Sequence, residues 1–350
     1  MENTRKNNAF FAAANTYNGF RSFFDKVFKS EEYERIYVLK GGPGTGKSSL
    51  MKRIANEAIE NGAEVTKILC SSDPHSLDGI IIKNQDKKVA ILDGTAPHER
   101  DAVIAGAVDE IIDLGRCWNS KWLVAQREKI TELSVEKKKA YFTAYSYLSL
   151  AGKSEEFIST IYKDKFLISK AKDKAEQFLT EFSSISNSKE IKCLVSSFGR
   201  YGKYSLDTFI SKAKRKISLG EDSILNELFL KEIVDLLRGK KIEFYNLISP
   251  LNTEITEGIF IPGEEVLITG SKEGEFNLNE ILSDSGYGRE QIKCALNSYK
   301  AFLDEAERWF AIASDLHFRL EEIYSAAMDF KKNDEIIEEK TVEILQILDL

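Results

Sequence analysis

Three observations predict an α/β fold built as two tandem modules for this chain of 350 residues. The first is Gly41-Gly42-Pro43-Gly44-Thr45-Gly46-Lys47-Ser48, which fills every fixed position of G-x-x-x-x-G-K-[ST]. The second is its setting. Residues 35–40 read as a buried strand, and residues 49–59 read as a helix with Leu50, Ile54 and Ala58 on one face. The third is internal repetition, because the run of predicted strands and helices after residue 10 is shadowed after residue 192. The expected class is α/β with two tandem P-loop NTPase-like modules, each carrying a helical-hairpin extension, over residues 8–187 and 190–350.

The residue types of the loop follow from phosphate chemistry. Glycines let the backbone curl so that successive N–H groups face an anion, at a helix start that already favours negative charge. The expected nucleotide contacts are Gly42, Pro43, Gly44, Thr45, Gly46, Lys47, Ser48 and Ser49. Lys47 would reach the β- and γ-phosphates, and the Ser48 hydroxyl would ligate Mg²⁺.

Composition narrows the class. Basic residues number 49 and acidic residues 56, and the net charge of −7 argues against a general grip on nucleic acid or an anionic membrane. No apolar run reaches membrane-spanning length, and the polar start Met1-Glu2-Asn3-Thr4-Arg5-Lys6 is unlike a signal peptide. Cys70, Cys117, Cys193 and Cys294 lie far apart and read as reduced, mostly buried thiols of a cytoplasmic protein.

Taken in order, residues 10–28 suggest a short strand, a turn from Asn15 to Gly19, and a helix over 20–28 with Phe20, Phe23, Phe24 and Phe28 on its apolar face. The turn is a candidate neighbour of the nucleotide base or ribose. Residues 65–70 predict a strand ending in Ser71-Ser72-Asp73-Pro74-His75. There Asp73 or His75 would touch the γ-phosphate or a second substrate, or else Asp73 would only close an Asx turn. Residues 78–82 and 89–93 predict two strands around the turn at 84–87. The second ends in Asp93 and has the form of a Walker B strand, whose acid holds Mg²⁺ beside Ser48.

Gly94 follows Asp93 where many ATP hydrolases have a water-activating glutamate. His98, Glu99 and Asp101 are therefore the candidate bases, Arg100 a candidate for phosphoryl charge, and a helix is expected around 107–114. Residues 127–186 carry two apolar stripes separated by Gly152, which predicts an αα-hairpin broken at that glycine. Its aromatic cluster, Tyr141, Phe142, Tyr145 and Tyr147, reads as packing.

In the second half, residues 193–199 to 206–210 shadow 11–27, and 215–219, 244–249, 257–261 and 265–270 each shadow a strand of the first half. Residues 279–282 echo 109–112, and residues 289–349 form long helices with a coiled-coil-like seam through Leu296, Tyr299, Leu303, Ala306, Phe310 and Ala313. The chemistry does not repeat. Where the first half has its loop, the second has Gly220-Glu221-Asp222-Ser223-Ile224-Leu225-Asn226-Glu227, without lysine and with three acids that repel phosphate. Thr269 stands in the place of Asp93. The second module is thus expected to be a non-binding regulatory or structural partner.

Several stretches together resemble a bacterial family of two-module P-loop ATP-binding proteins. They are Phe11-Ala12, Asn15-Thr16, Gly19-Phe20, the loop from Lys40 through Met51, Cys70-Ser71-Ser72-Asp73, Ser76-Leu77-Asp78-Gly79 and Asp93-Gly94-Thr95-Ala96-Pro97-His98. The resemblance covers nearly the whole chain and implies tandem P-loop modules, but family members often keep a second phosphate loop, which is missing here. No N-K-x-D guanine signature occurs, so ATP is expected over GTP.

The leading expectation is an Mg²⁺-dependent ATPase. In it Lys47 neutralises phosphate charge, Ser48 and Asp93 hold the metal, His98 or Glu99 supplies the base, and Arg200 or Arg215 arrives from the second module. A small-molecule or nucleotide kinase with an acceptor at Asp73 or the His98 loop, and an ATP-binding switch with negligible turnover, are the alternatives. An unknown protein partner or small-molecule acceptor accompanies any of the three.

Overall fold

The computed structural model describes residues 8–180, 182, 189–271, 277–283 and 288–350. The N-terminal residues 1–6, the end of the expected first hairpin at 183–186 and the expected boundary at 187 lie outside the described residues. Two mixed sheets form, and their strands follow one plan. The first contains β1 (Asn8–Phe11), β4 (Arg35–Lys40), β5 (Glu64–Leu69), β6 (Leu77–Asn84), β7 (Lys87–Asp93) and β8 (Asp109–Asp113), in the order β1-β5-β6-β7-β4-β8. The second contains β9 (Glu190–Cys193), β12 (Arg215–Ser218), β13 (Phe244–Ile248), β14 (Thr256–Ile261) and β15 (Val266–Thr269), in the order β9-β13-β14-β15-β12. In both sheets the third strand of the row is antiparallel to its neighbours and the outer pairs are parallel. β8 has no counterpart among the described residues. A hairpin follows the first strand of each half: β2 (Ala13–Thr16) with β3 (Gly19–Ser22), and β10 (Ser196–Gly199) with β11 (Gly202–Ser205).

Burial explains the central strands. Ile36, Tyr37, Val38 and Leu39 are all fully buried, which is the unbroken apolar run of a strand covered on both faces. Helix α2 (Lys47–Glu60) covers one face of the first sheet with Leu50, Met51, Ile54 and Ala58, and α6 (Ser223–Gly239) does the same for the second with Phe229, Leu230, Ile233 and Leu237.

Several sequence expectations are corrected here. Residues 20–22 are strand, not helix, because Phe20 pairs across the hairpin with Asn15, and only α1 (Phe24–Val27) is helical. Residues 109–113 form β8, parallel to β4, with the alternation of a strand: Asp109 and Ile112 buried, Ile111 exposed. The second-half echo at 279–282 is a 3-10 turn over Leu278–Ile281, which matches the 3-10 turn Leu114–Cys117 instead. Gly152 does not break a helix. A short α3 (Ser120–Ala125) leads into α4 (Arg127–Lys165), which runs 39 residues through Gly152. A Cβ there would lie 2.6 Å from the Tyr17 ring, so the glycine admits a close neighbour. Cys294 is exposed, unlike buried Cys117.

The long helices are where the halves meet. α4 packs antiparallel on α7 (Arg289–Ala326): Leu133 meets Leu320 and Ile323, Ala144 and Leu148 meet Ala306 and Phe310, and Ile161 lies against Gly288. At roughly 1.5 Å per residue each spans nearly 60 Å. The partner of α4 is therefore α7, not the helix that follows it. That helix, α5 (Ile168–Leu179), crosses over and buries Ala171, Ala175, Phe178 and Leu179 against α6 of the second half. Reciprocally, α8 (Phe330–Ile347) buries Ile336, Ile337 and Ile344 against α2 and the first sheet. The crossings are matched. Leu167 N–H donates to Ile281 O at one end of the pair, and Asp329 N–H donates to Cys117 O at the other.

Candidate nucleotide-binding site

The loop 41–46 leaves the carboxyl end of β4 and enters α2 at Lys47. Gly44 and Gly46 have φ of +69° and +82°, a backbone region that side chains rarely tolerate. Thr45 Oγ1 donates to Gly42 O at 2.9 Å and braces the curl from inside. Lys47 Nζ donates to Gly41 O at 2.8 Å and Gly42 O at 2.9 Å, and lies 3.6 Å from Asp93 Oδ2. Parallel pairing of β4 with β7 sets Leu39 beside Asp93, so the carboxylate emerges next to the loop. Its Oδ1 accepts from Thr95 N–H at 2.9 Å and Thr95 Oγ1 at 2.6 Å, which orients Oδ2 toward Lys47. Ser48 Oγ accepts from Leu77 N–H at 3.0 Å, and Ser49 is exposed.

One residue without an expected role joins this group. Asp78, on β6, is brought to the end of β7 by the antiparallel pairing of Gly79 with Leu92. Burial raises its carboxyl to about 6; the neighbouring Asp93 adds to the rise, while His98 and Lys47 oppose it. His98 Nε2 stands 4.0 Å from Asp78 Oδ1 and its ring stacks on Phe24 with centroids 4.5 Å apart. Neither ring nitrogen of His98 has a hydrogen-bond partner among the described residues. In the sequence Asp78 stands in the stretch Ser76-Leu77-Asp78-Gly79 and at the head of an apolar run, with no role assigned to it.

The folded pKa of Asp78 lies above its ordinary value of 3.8, so the native state holds a proton that the unfolded chain releases between about pH 4 and 6. Its contribution to stability falls as pH rises through that window. Asp78→Asn is expected to leave the urea midpoint unchanged near pH 4 and to raise it above pH 6. A variant no more stable than wild type at pH 7 would contradict this.

The other candidates sort by geometry. Glu99 and Asp101 are exposed, and Asp101 pairs with Lys40 at 2.9 Å. Arg100 is buried away from any phosphate role: it bonds Ser30 Oγ at 3.1 Å and Asp109 Oδ1 at 3.5 Å. Asp73 closes an Asx turn on His75 N–H at 3.1 Å, and exposed His75 packs edge-on to Tyr201. Asn15 is fully buried and ties the halves together: it donates to Phe198 O at 2.8 Å and accepts from Tyr145 Oη at 2.7 Å. Those bonds engage the Asn15–Gly19 turn with the second hairpin and α4. Arg200, at the turn between β10 and β11, reaches toward the loop after β5 through its N–H to Ser72 O at 3.4 Å, and its side chain bonds Ser314 Oγ at 2.8 Å on α7. Arg215 opens β12 at the amino end of its sheet, the opposite edge from the carboxyl ends.

The end of α7 and the start of α8 lie directly on the phosphate loop, which the sequence did not indicate. Ser325 Oγ donates to Gly44 O at 3.0 Å, and a Cβ on Gly44 would lie 2.5 Å from Glu321 O. Tyr324 and Trp118 meet at a tilt over Gly42 with ring centroids 5.4 Å apart, and buried Asn333 abuts Gly46. Burial alone would raise the Glu321 carboxyl, but His317, the Gly44 amide and Lys47 hold it below the usual glutamate range.

No protein-family model matches the chain, and no solved structure matches it. A stretch of 99 residues is 30% identical to the AAA-ATPase At2g18193 of Arabidopsis thaliana, covering 25% of this chain and 19% of that protein. This chain is similar to an ATPase over that stretch alone. Among the described residues no helix is long and apolar enough to cross a membrane, and no group of three His, Cys, Asp or Glu side chains could hold a metal. Mg²⁺ usually takes one or two protein oxygens and completes its shell with phosphates and water, and Ser48 Oγ and Asp93 Oδ2 are hard oxygen donors.

Proposed function

We propose that the first half binds ATP with Mg²⁺ at residues 41–48 and hydrolyses it, and that the second half is a degenerate P-loop-like module that arose by duplication and no longer binds nucleotide. The observation that carries the reading is Lys47. It is held between its own loop carbonyls and Asp93, at the head of α2, beside glycines whose backbone only glycine readily adopts. The shared strand order of the two sheets supports the duplication. In this reading the loop amides and Lys47 hold the β- and γ-phosphates, Ser48 and Asp93 hold the metal, and the metal neutralises phosphate charge. His98 is the better candidate base than Glu99, since it is buried with Asp78 beside it. Arg200 is the better candidate arginine than Arg215. Release of phosphate from ATP by the purified chain, with and without Mg²⁺, tests the reading, and ATP binding without release would remove the hydrolase part.

A switch reading draws on a separate observation. Glu321 and Ser325 sit where they restrict the loop, so nucleotide entry and the position of α7 are linked. A carboxylate near Gly44 N–H and Lys47 competes with phosphate for the same positive field. Glu321→Gln is therefore expected to tighten ATP binding several-fold in calorimetry. Equal or weaker binding would show that the acid does not compete.

A further inference from the structure

At the carboxyl ends of β12, β13 and β15 lies a cleft of about 640 Å³. It takes the place in the second half that the phosphate loop takes in the first. Gly220 follows β12, Ser249 follows β13, Gly270 follows β15, and the first turn of α6 forms a wall. Open α/β sheets bind their ligands in such a crevice.

The chemistry of the cleft is opposite to that of a phosphate site. Its charged lining is Glu155, Glu221, Glu227 and Glu257 against the single cation Lys203. Lys203 is already paired with Glu257 at 2.8 Å, and Ser196 Oγ donates to that carboxylate at 3.1 Å. The amino end of α6 is closed to anions because Asp222 caps it, accepting from Leu225 N–H at 3.0 Å.

Asn226 points independently to a ligand. It is 5% exposed and lines the cleft. Its Nδ2 donates to Gly220 O at 2.8 Å, which fixes the orientation of the amide, and its Oδ1 finds no donor among the described residues. A buried acceptor without a donor is costly, and a ligand N–H would relieve it. Glu155, contributed by α4, and Glu227, next to Asn226, add acceptors. Burial raises both carboxyls, Glu155 to about 7, against the opposing influence of Tyr17 and Lys203 at Glu155 and of Lys163 and Lys231 at Glu227. The remaining wall is apolar, with Phe198, Phe209, Leu230, Leu247 and Leu267.

We propose that this cleft is a second ligand site that takes a small organic cation, a protonated amine or guanidinium carried on an apolar body, with the cation at Glu155, Glu227 and Asn226 Oδ1. A phosphate ligand is disfavoured by the four acids, and a purely apolar one would leave Asn226 unanswered.

The test is calorimetric titration of the full chain, without nucleotide, by three probes of similar shape: 2-phenylethylamine, neutral 2-phenylethanol and anionic 3-phenylpropanoate. The amine is expected to bind one site per chain at least tenfold more tightly than the alcohol, and the anion not at all. Glu155→Gln with Glu227→Gln should remove that preference and leave the alcohol unaffected. No binding of the amine to wild type, equal binding of amine and alcohol, or a preference that survives the double substitution would each overturn the proposal. The ranking of the probes on wild type decides the matter even if the double variant fails to fold. Because no ATP is present, the result stands apart from the ATPase reading.

Discussion

Lys47→Ala is expected to reduce ATP turnover by about 100- to 1000-fold, the usual cost of deleting a positioned group that answers charge developing in a transition state. Ground-state binding should weaken less, because the loop amides and the metal still engage the phosphates. Stability should change little: the carbonyls of Gly41 and Gly42 lose the ammonium, but both residues keep partial exposure to water. Phosphate release and ATP affinity measured on the same preparation check the split. Turnover within threefold of wild type would mean that residues 41–48 are not the site of the chemistry.

Ending the chain after Met328 is expected to unfold the first half, although the cut lies more than two hundred residues from its sheet. The truncation removes Ile336, Ile337, Ile344 and Leu348 from the core that contains Tyr37, Leu50, Met51 and Ile80. Each fully buried side chain of this kind stabilises by roughly 1.5–3 kcal/mol. Four of them together rival the whole stability of a typical domain, about 5–15 kcal/mol. Further ties go as well, including Asn84 Nδ2 to Leu348 O at 2.8 Å, Lys340 to Glu110 at 2.8 Å and the contact of Arg53 with Asp334. Circular dichroism and ATP binding of the truncated chain test this. A truncated protein that melts cooperatively at the wild-type temperature would show that α8 is an accessory.

Strands were legible wherever an apolar run stood alone. β4, β13 and β14 emerged within about a residue of their expected limits because their side chains are buried on both faces. The loop at 41–46 and its closeness to Asp93 were legible because a strand, a glycine-rich turn and a helix follow one another there and parallel pairing of β4 with β7 sets Asp93 beside Leu39. Residues 20–22 and 109–113 were misread since short segments with mixed burial fit either period, and pairing decided them. Gly152 misled because a glycine kept for the close approach of Tyr17 looks the same in sequence as one that ends a helix. Asp78, Glu321 and Asn333 were out of reach for a different reason. Their roles come from strand register and from helices far along the chain.

The reciprocal placement of α5 and α8 also bears on when the protein can fold during its synthesis. The first sheet is complete by residue 113, yet the surface of α2 that faces α8 stays bare until residue 330 and beyond have left the ribosome. Domains that fold as they emerge depend on contacts already made. Here the nascent first half must wait, with apolar surface uncovered, until α8 has been translated. The order of synthesis and the order of assembly are uncoupled in this chain, and its period of exposure to chaperones lasts at least until α8 emerges.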